Sequence, residues 1–174
     1  MTMLRRLIAC RSGAAAAEMA LSLPILLVIM FGSAELGNFF LNEQILVKAV
    51  RDGARYAARQ DLSYFSTCSG APTGTVEAET KNVVMTGVPS GGTNRLPYWN
   101  ATTITVSTSC STTAGGQTMA GIYTGNKNAG GALIGAPIVT VSATVPYHPI
   151  LRAFGFRGVG YNLNATQQAA VMGL

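Results

Sequence analysis

The stretch from Met19 to Ala34 carries no charged residue and is bracketed by Glu18 and Glu35. An α-helix rises about 1.5 Å per residue, so these two glutamates would stand about 25 Å apart along one. A bilayer's hydrocarbon core is about 30 Å thick, and crossing it takes about 20 mostly apolar residues. Leu36 to Leu41 carries the apolar character onward. With tilting or snorkelling, both carboxylates reach opposite interfaces. The pattern predicts a transmembrane helix over residues 14–41. Pro24, in its first half, is expected to kink it or weaken its local hydrogen bonding.

Charge is distributed unevenly around that run. Residues 1–13 hold Arg5, Arg6 and Arg11 and no acidic residue, and read as a cytoplasmic leader. Lys48, Arg51, Arg55 and Arg59 lie on the far side, so the positive-inside rule alone does not fix the orientation. The formal net charge is +5, and the isoelectric point near 9.4 owes much to the leader. No cluster of Lys and Arg with interleaved aromatics follows, so no nucleic-acid partner is expected. A chain of 174 residues fits one domain besides the span.

Residues 42–60 are expected to continue the helix into water. Ile45, Leu46, Ala49, Gly53, Tyr56 and Ala57 recur at helical spacing as an apolar stripe. Ala49, Gly53 and Ala57 are small enough for another element to pack closely on them. Arg51, Arg55 and Arg59 form a second stripe, either a solvated face or a contact for anionic head groups or an acidic partner. Residues 61–174 read as an extracytoplasmic α+β domain. A short helix is predicted over 75–85, with Thr75 as cap and Gly87 as stop. Alternation predicts strands over 103–110, 138–147 and 161–166. Ile104, Val106, Thr108 and Cys110 share one face, as do Val139, Val141, Ala143, Val145 and Tyr147. Tyr161, Leu163 and Ala165 share one face of the third strand. The simplest arrangement is an antiparallel three-strand sheet covered by the Ala49/Gly53/Ala57 stripe. Residues 111–131, rich in Gly, Thr and Asn, read as a mobile loop, and 149–154 as one helical turn.

No catalytic constellation is visible. Acidic residues are absent after Glu79, and the single histidine, His148, stands beside Pro149 as a structural or surface residue. There is no metal-ligand spacing, phosphate loop or nucleophile elbow, so neither metal, cofactor nor small-molecule substrate is expected. Of the three cysteines, Cys10 lies in the leader. Cys68 and Cys110 could form a disulfide in an oxidising compartment, or remain buried thiols otherwise.

Gly13, then Glu18, then an apolar helix is the layout of a prepilin processing site. The stretches Gly13-Ala14-Ala15-Ala16-Ala17-Glu18, Leu23-Pro24, Phe31-Gly32, Glu35-Leu36-Gly37 and Ala49-Val50-Arg51-Asp52-Gly53-Ala54-Arg55-Tyr56-Ala57-Ala58 resemble the TadE-like proteins. These are minor pseudopilins of tight-adherence (Flp) type IV pilus systems. The resemblance covers residues 11–60 strongly and 139–172 more loosely. It implies a pilin-like fold and a non-catalytic role in pilus assembly. It implies cleavage by a prepilin peptidase between Gly13 and Ala14, where a residue without a side chain is easily drawn into extended form. It further implies that Glu18 pairs with the freed N-terminal ammonium of a neighbouring subunit. Otherwise Glu18 is only the interface end of an anchor. Glu35 either pairs with a partner helix or reaches the outer interface. The implied partners are the major pilin, other pilus-assembly membrane proteins and the lipid bilayer. The implied location is the bacterial inner membrane, with the N-terminus cytoplasmic and the C-terminal domain periplasmic.

A second reading makes Met19 to Phe31 the apolar core of a secretory signal. Gly32-Ser33-Ala34 is then a signal-peptidase site, and a binding or adhesin domain is released after Ala34.

Overall fold

The computed structural model describes residues 12–118, 121–128, 130–152, 155 and 160–173. The leader's Arg5, Arg6, Cys10 and Arg11 lie outside the described residues, as do parts of 149–154. The chain divides into two units, Met1–Phe40 with Pro149–Arg157, and Leu41–His148 with Gly158–Leu174. It is an α+β protein, a long N-terminal apolar helix followed by a small antiparallel sheet domain.

Helix α1 spans Ser12–Ala58, with Pro24 inside it. Proline withdraws one donor from the ladder. Nearby, the Ser22 hydroxyl donates to Glu18 O at 2.9 Å, and the Ser33 hydroxyl donates to Met30 O at 2.9 Å. In this first unit nearly every large apolar residue from Met19 to Met30 is exposed around the whole helix, Leu21 to 77%. An apolar helix exposed all round is suited to lipid or to other helices rather than to water.

In the second unit α1 buries Leu46, Ala49, Val50, Gly53, Ala54, Ala57 and Ala58. The buried stripe is therefore rotated from the one expected: Val50 and Ala54 belong to it, whereas Ile45 is 36% exposed. Helix α2 spans Val76–Thr86. Gly87 ends it as expected, at φ 92° with its N–H donating to Val83 O at 2.8 Å. Thr75, by contrast, makes no side-chain cap. A Cβ placed on Gly53 would stand 2.3 Å from Val84 Cγ2 and 3.5 Å from Thr80 O. The element packed on Gly53 is thus α2 and not the sheet, and only a glycine admits so close an approach.

The sheet is formed by β1 (Ile104–Ser111), β4 (Ala136–Pro146) and β5 (Asn162–Ala170) in the order β1-β4-β5. Both pairs are antiparallel, with Val106 opposite Val141 and Val141 opposite Gln167. Ile104, Val106 and Thr108 of β1 are buried, as are Val139, Val141, Ala143 and Val145 of β4 and Tyr147 beyond it. Alternation placed these residues correctly. The third strand differs: it extends to Ala170, and Tyr161 precedes it, 66% exposed. Residues 111–118 also differ from the expected loop. They carry a small ribbon, β2 (Thr113–Ala114) against β3 (Gln117–Thr118), and a 3-10 turn follows at Gly121–Tyr123.

The ladder settles which backbone groups point where. Val171 N–H donates to Pro137 O and Tyr147 N–H to Tyr161 O, each at 2.9 Å. Both bonds continue the β4–β5 register, so odd-numbered residues of β5 turn their N–H and C=O toward β4. Pro137 has no N–H to return to Val171. The Tyr123 hydroxyl takes that place, donating to Val171 O at 2.9 Å. Sequence reasoning missed this link, although a proline near the start of a central strand signals an unserved acceptor.

Candidate functional site

The first candidate feature is the apolar part of α1. Among the described residues it is the one helix long and apolar enough to cross a membrane, with a mean hydropathy of 2.1 over its best window and none of that window buried. Gly13 and Ala14 lie within α1, and both are exposed. The space around Gly13 where a side chain would stand is open. Glu18 follows one turn later and is exposed.

Glu35 is placed differently. It is only 7% exposed, and its Oε2 accepts the backbone N–H of Leu151 at 2.9 Å. Glu35 and Leu151 belong to the same unit. Neither sequence reading of Glu35 contained this intrachain bond, because nothing local in the sequence connects residues 116 positions apart. A buried carboxylate is held by such donors, and an N–H to a charged acceptor makes a stronger bond than a neutral pair.

The second candidate feature is the basic stripe. Arg51, Arg55 and Arg59 are all exposed. Arg55 and Arg59 line an open cleft of about 320 Å³ together with Tyr56 and Arg95, and Arg51 does not. Arg95 reaches Asp52 Oδ2 through Nη1 at 2.9 Å. The stripe thus separates into two arginines on a cleft wall and one apart from it. An anionic group could be met there by Arg55 and Arg59.

Tyr56 ties this region to α2, its hydroxyl donating to Glu79 Oε2. Burial, then the Glu79 hydrogen bond and charge, push the Tyr56 phenol up to about 12. The same hydrogen bond, with a second from Thr75, holds the Glu79 carboxyl below the ordinary carboxylate range. The signs follow from linkage. Glu79's contribution to stability is present above the ordinary carboxylate range and is lost as pH falls through its lowered value. Tyr56's contribution is full below about pH 10 and is lost as pH rises toward about 12. Tyr56→Phe is therefore expected to weaken both dependences and to remove one late-titrating phenol. Denaturation across pH and phenolate absorbance check this, and unchanged profiles would refute it.

Cys68 and Cys110 are joined, with Sγ atoms 1.99 Å apart and Cα atoms 5.2 Å apart. The bridge runs from the loop after α1 to the end of β1. Beside it, Thr108 N–H donates to Gly70 O at 2.7 Å. His148 stacks on Tyr98, ring centroids 3.9 Å apart, and both are exposed. Among the described residues, no group of three or more His, Cys, Asp or Glu could hold a metal ion.

Together these features define a class: a small disulfide-bridged α+β domain carried on a long helix whose first part is apolar and exposed. Residues 13–55, which lie wholly within α1, match the family model described as TadE-like protein. No curated protein and no solved structure matches the chain. The family match points to a role connected with the tight-adherence pilus, and the apolar helix to a membrane anchor.

Proposed function

We propose that this protein is a membrane-anchored minor pseudopilin that supports assembly of tight-adherence pili. The observation that carries this reading is the coincidence of the family match with α1, whose apolar residues are left exposed where a bilayer or neighbouring helices would cover them. In this reading the leader stays in the cytoplasm, α1 spans the inner membrane, and the sheet domain lies in the periplasm. A prepilin peptidase cuts between Gly13 and Ala14. The open space at Gly13 supports access there. Glu18 then meets the new terminal ammonium of an adjacent subunit. A carboxylate carried to the bilayer centre costs about 2.5–3.5 kcal/mol, and pairing offsets that. The role requires no catalysis. Its partners are the peptidase, the major pilin, other assembly proteins of the membrane and the bilayer itself.

N-terminal sequencing of the mature protein tests the reading. A start at Ala14 is expected. A start at Glu35 would mean release by signal peptidase and overturn it, and a start at Met1 would leave a plain anchor. Glu18→Ala is expected to reduce pilus assembly at unchanged membrane levels of the protein. Normal piliation in that strain would reduce Glu18 to an anchor end.

A further inference from the structure

The apolar surface of α1 does not stop at Glu35. Leu36 and Phe40, 54% and 51% exposed, continue it. Phe40 stands about 8 Å beyond Glu35 along the helix, at about 1.5 Å per residue. Glu35 therefore has lipid-suited surface on both sides, and whatever meets its carboxylate lies at the same level. The group that meets it is the Leu151 N–H, 2.9 Å from Glu35 Oε2. Both belong to the unit formed by Met1–Phe40 and Pro149–Arg157. The bond holds the segment 149–152, which follows β4 in the chain, beside the apolar helix.

The residues of that segment suit the place. Ile150 is 62% exposed, Leu151 is half-buried and Arg152 is exposed. No acidic residue occurs after Glu79. An arginine at this level lays its stem along apolar surface and turns its guanidinium to head-group phosphate. Irregular backbone near hydrocarbon is tolerated only where its polar groups find partners. Pro149 has no N–H to satisfy. The Leu151 N–H is taken by Glu35, and the Arg152 carbonyl accepts the Gly155 N–H at 3.3 Å.

We infer that residues 149–152 form a second membrane contact, an interfacial segment seated in the outer face of the bilayer that α1 spans, and that its ligand is phospholipid. Ile150 enters the boundary of the acyl chains, and Arg152 meets head-group phosphate. Glu35 is the tether that holds the segment at this depth. Elements that lie in an interface sink about 5–10 Å into it, which agrees with the length of apolar helix beyond Glu35. The inference rests on the reading of α1 as a membrane span. It adds to it a contact outside residues 13–55, the part of the chain that the family model matches.

The test uses the full chain with Cys10→Ser, reconstituted alone in vesicles of phosphatidylethanolamine and phosphatidylglycerol. Cys68 and Cys110 stay joined, so one added cysteine at a time carries a fluorophore. Ile150→Cys reports the segment, Val28→Cys the middle of the apolar run, and Thr113→Cys the exposed ribbon of the sheet domain. Nitroxides on the lipid acyl chains are expected to quench the probes at 28 and 150, the latter at least threefold more than the probe at 113. Iodide on both sides of the vesicle is expected to quench the probe at 113 most. Lipid quenching at 28 without it at 150 would overturn this inference and leave the anchor standing. No lipid quenching at 28 would overturn the anchor, and this inference with it. Iodide reaching 150 as readily as 113 would mean that the segment faces water or awaits a protein partner, and would overturn the lipid assignment. Adding Glu35→Ala is expected to cut lipid quenching at 150 at least twofold and to leave that at 28 unchanged. Glu35→Gln, which keeps an acceptor oxygen, is expected to retain it. Unchanged quenching at 150 with Glu35→Ala would overturn the role of Glu35 as tether. If Glu35→Ala loses helix content by circular dichroism, Glu35→Gln and the three probes in the parent decide.

Discussion

Gly53→Ala is expected to destabilise the domain by about 1–3 kcal/mol, the usual range for overpacking. Helix propensity alone gives the opposite sign, since alanine is about 1 kcal/mol better than glycine inside a helix. Contact geometry reverses it. The new Cβ lands 2.3 Å from Val84 Cγ2, inside the van der Waals limit. Val84 is fully buried and β-branched, so in a helix it holds essentially one rotamer and cannot swing aside. The backbone of α2 must move instead. Adding Val84→Ala to Gly53→Ala removes the clash, so the double variant should lose less than the sum of the two single changes. A coupling of about 1 kcal/mol or more is expected between residues in such contact. Urea denaturation of the four proteins measures it. A Gly53→Ala protein as stable as the parent would sink the argument.

Replacing Cys68 and Cys110 together by serine is expected to have the larger effect. Their separation of 42 residues closes a long loop, for which loop-closure entropy gives about 4 kcal/mol as an upper value. The change should also be local. The Thr108–Gly70 bond lies between the two cysteines' elements, so the Thr108 amide should lose hydrogen-exchange protection before the β4 amides do. Mass mapping under non-reducing conditions checks the bridge itself. Two free thiols there, or unchanged stability in the double variant, would contradict the prediction.

What the sequence disclosed follows from how far each signal reaches along the chain. The apolar run was legible because a charge-free stretch of that length has few other uses. The faces of β1 and β4 were legible because each alternates strictly and one side is buried. Strand β5 was half legible. Its second half, Thr166 to Ala170, has no apolar alternation, since Gln167 and Gln168 give neither face a character. Its residues were ordered by pairing with β4 rather than by their own preference. The buried stripe of α1 was found but rotated. Small residues such as Ala54 carry little signal of their own, and what buries them is the neighbour they meet. For Gly53 that neighbour, α2, was recognised as a helix but not as the partner. Of the site, the positions of Gly13, Glu18 and the arginines could be read from spacing. The burial of Glu35 and its bond to Leu151 could not, because they depend on chain closure over 116 positions.

The bond from Met172 N–H to Ala58 O, at 3.0 Å, joins the end of α1 to the residues just after β5. Among the described residues, Ala58 lies before every strand and Met172 follows all of them. A polypeptide emerging in sequence order during synthesis therefore cannot complete this domain piecemeal. Strand β1 waits for β4, β4 waits for β5, and the helix end waits for residue 172. Such far-separated contacts slow folding. Until they form, the partly emerged domain presents the apolar face of β4 without its last neighbour, an interval in which a chaperone or an assembly partner could engage it.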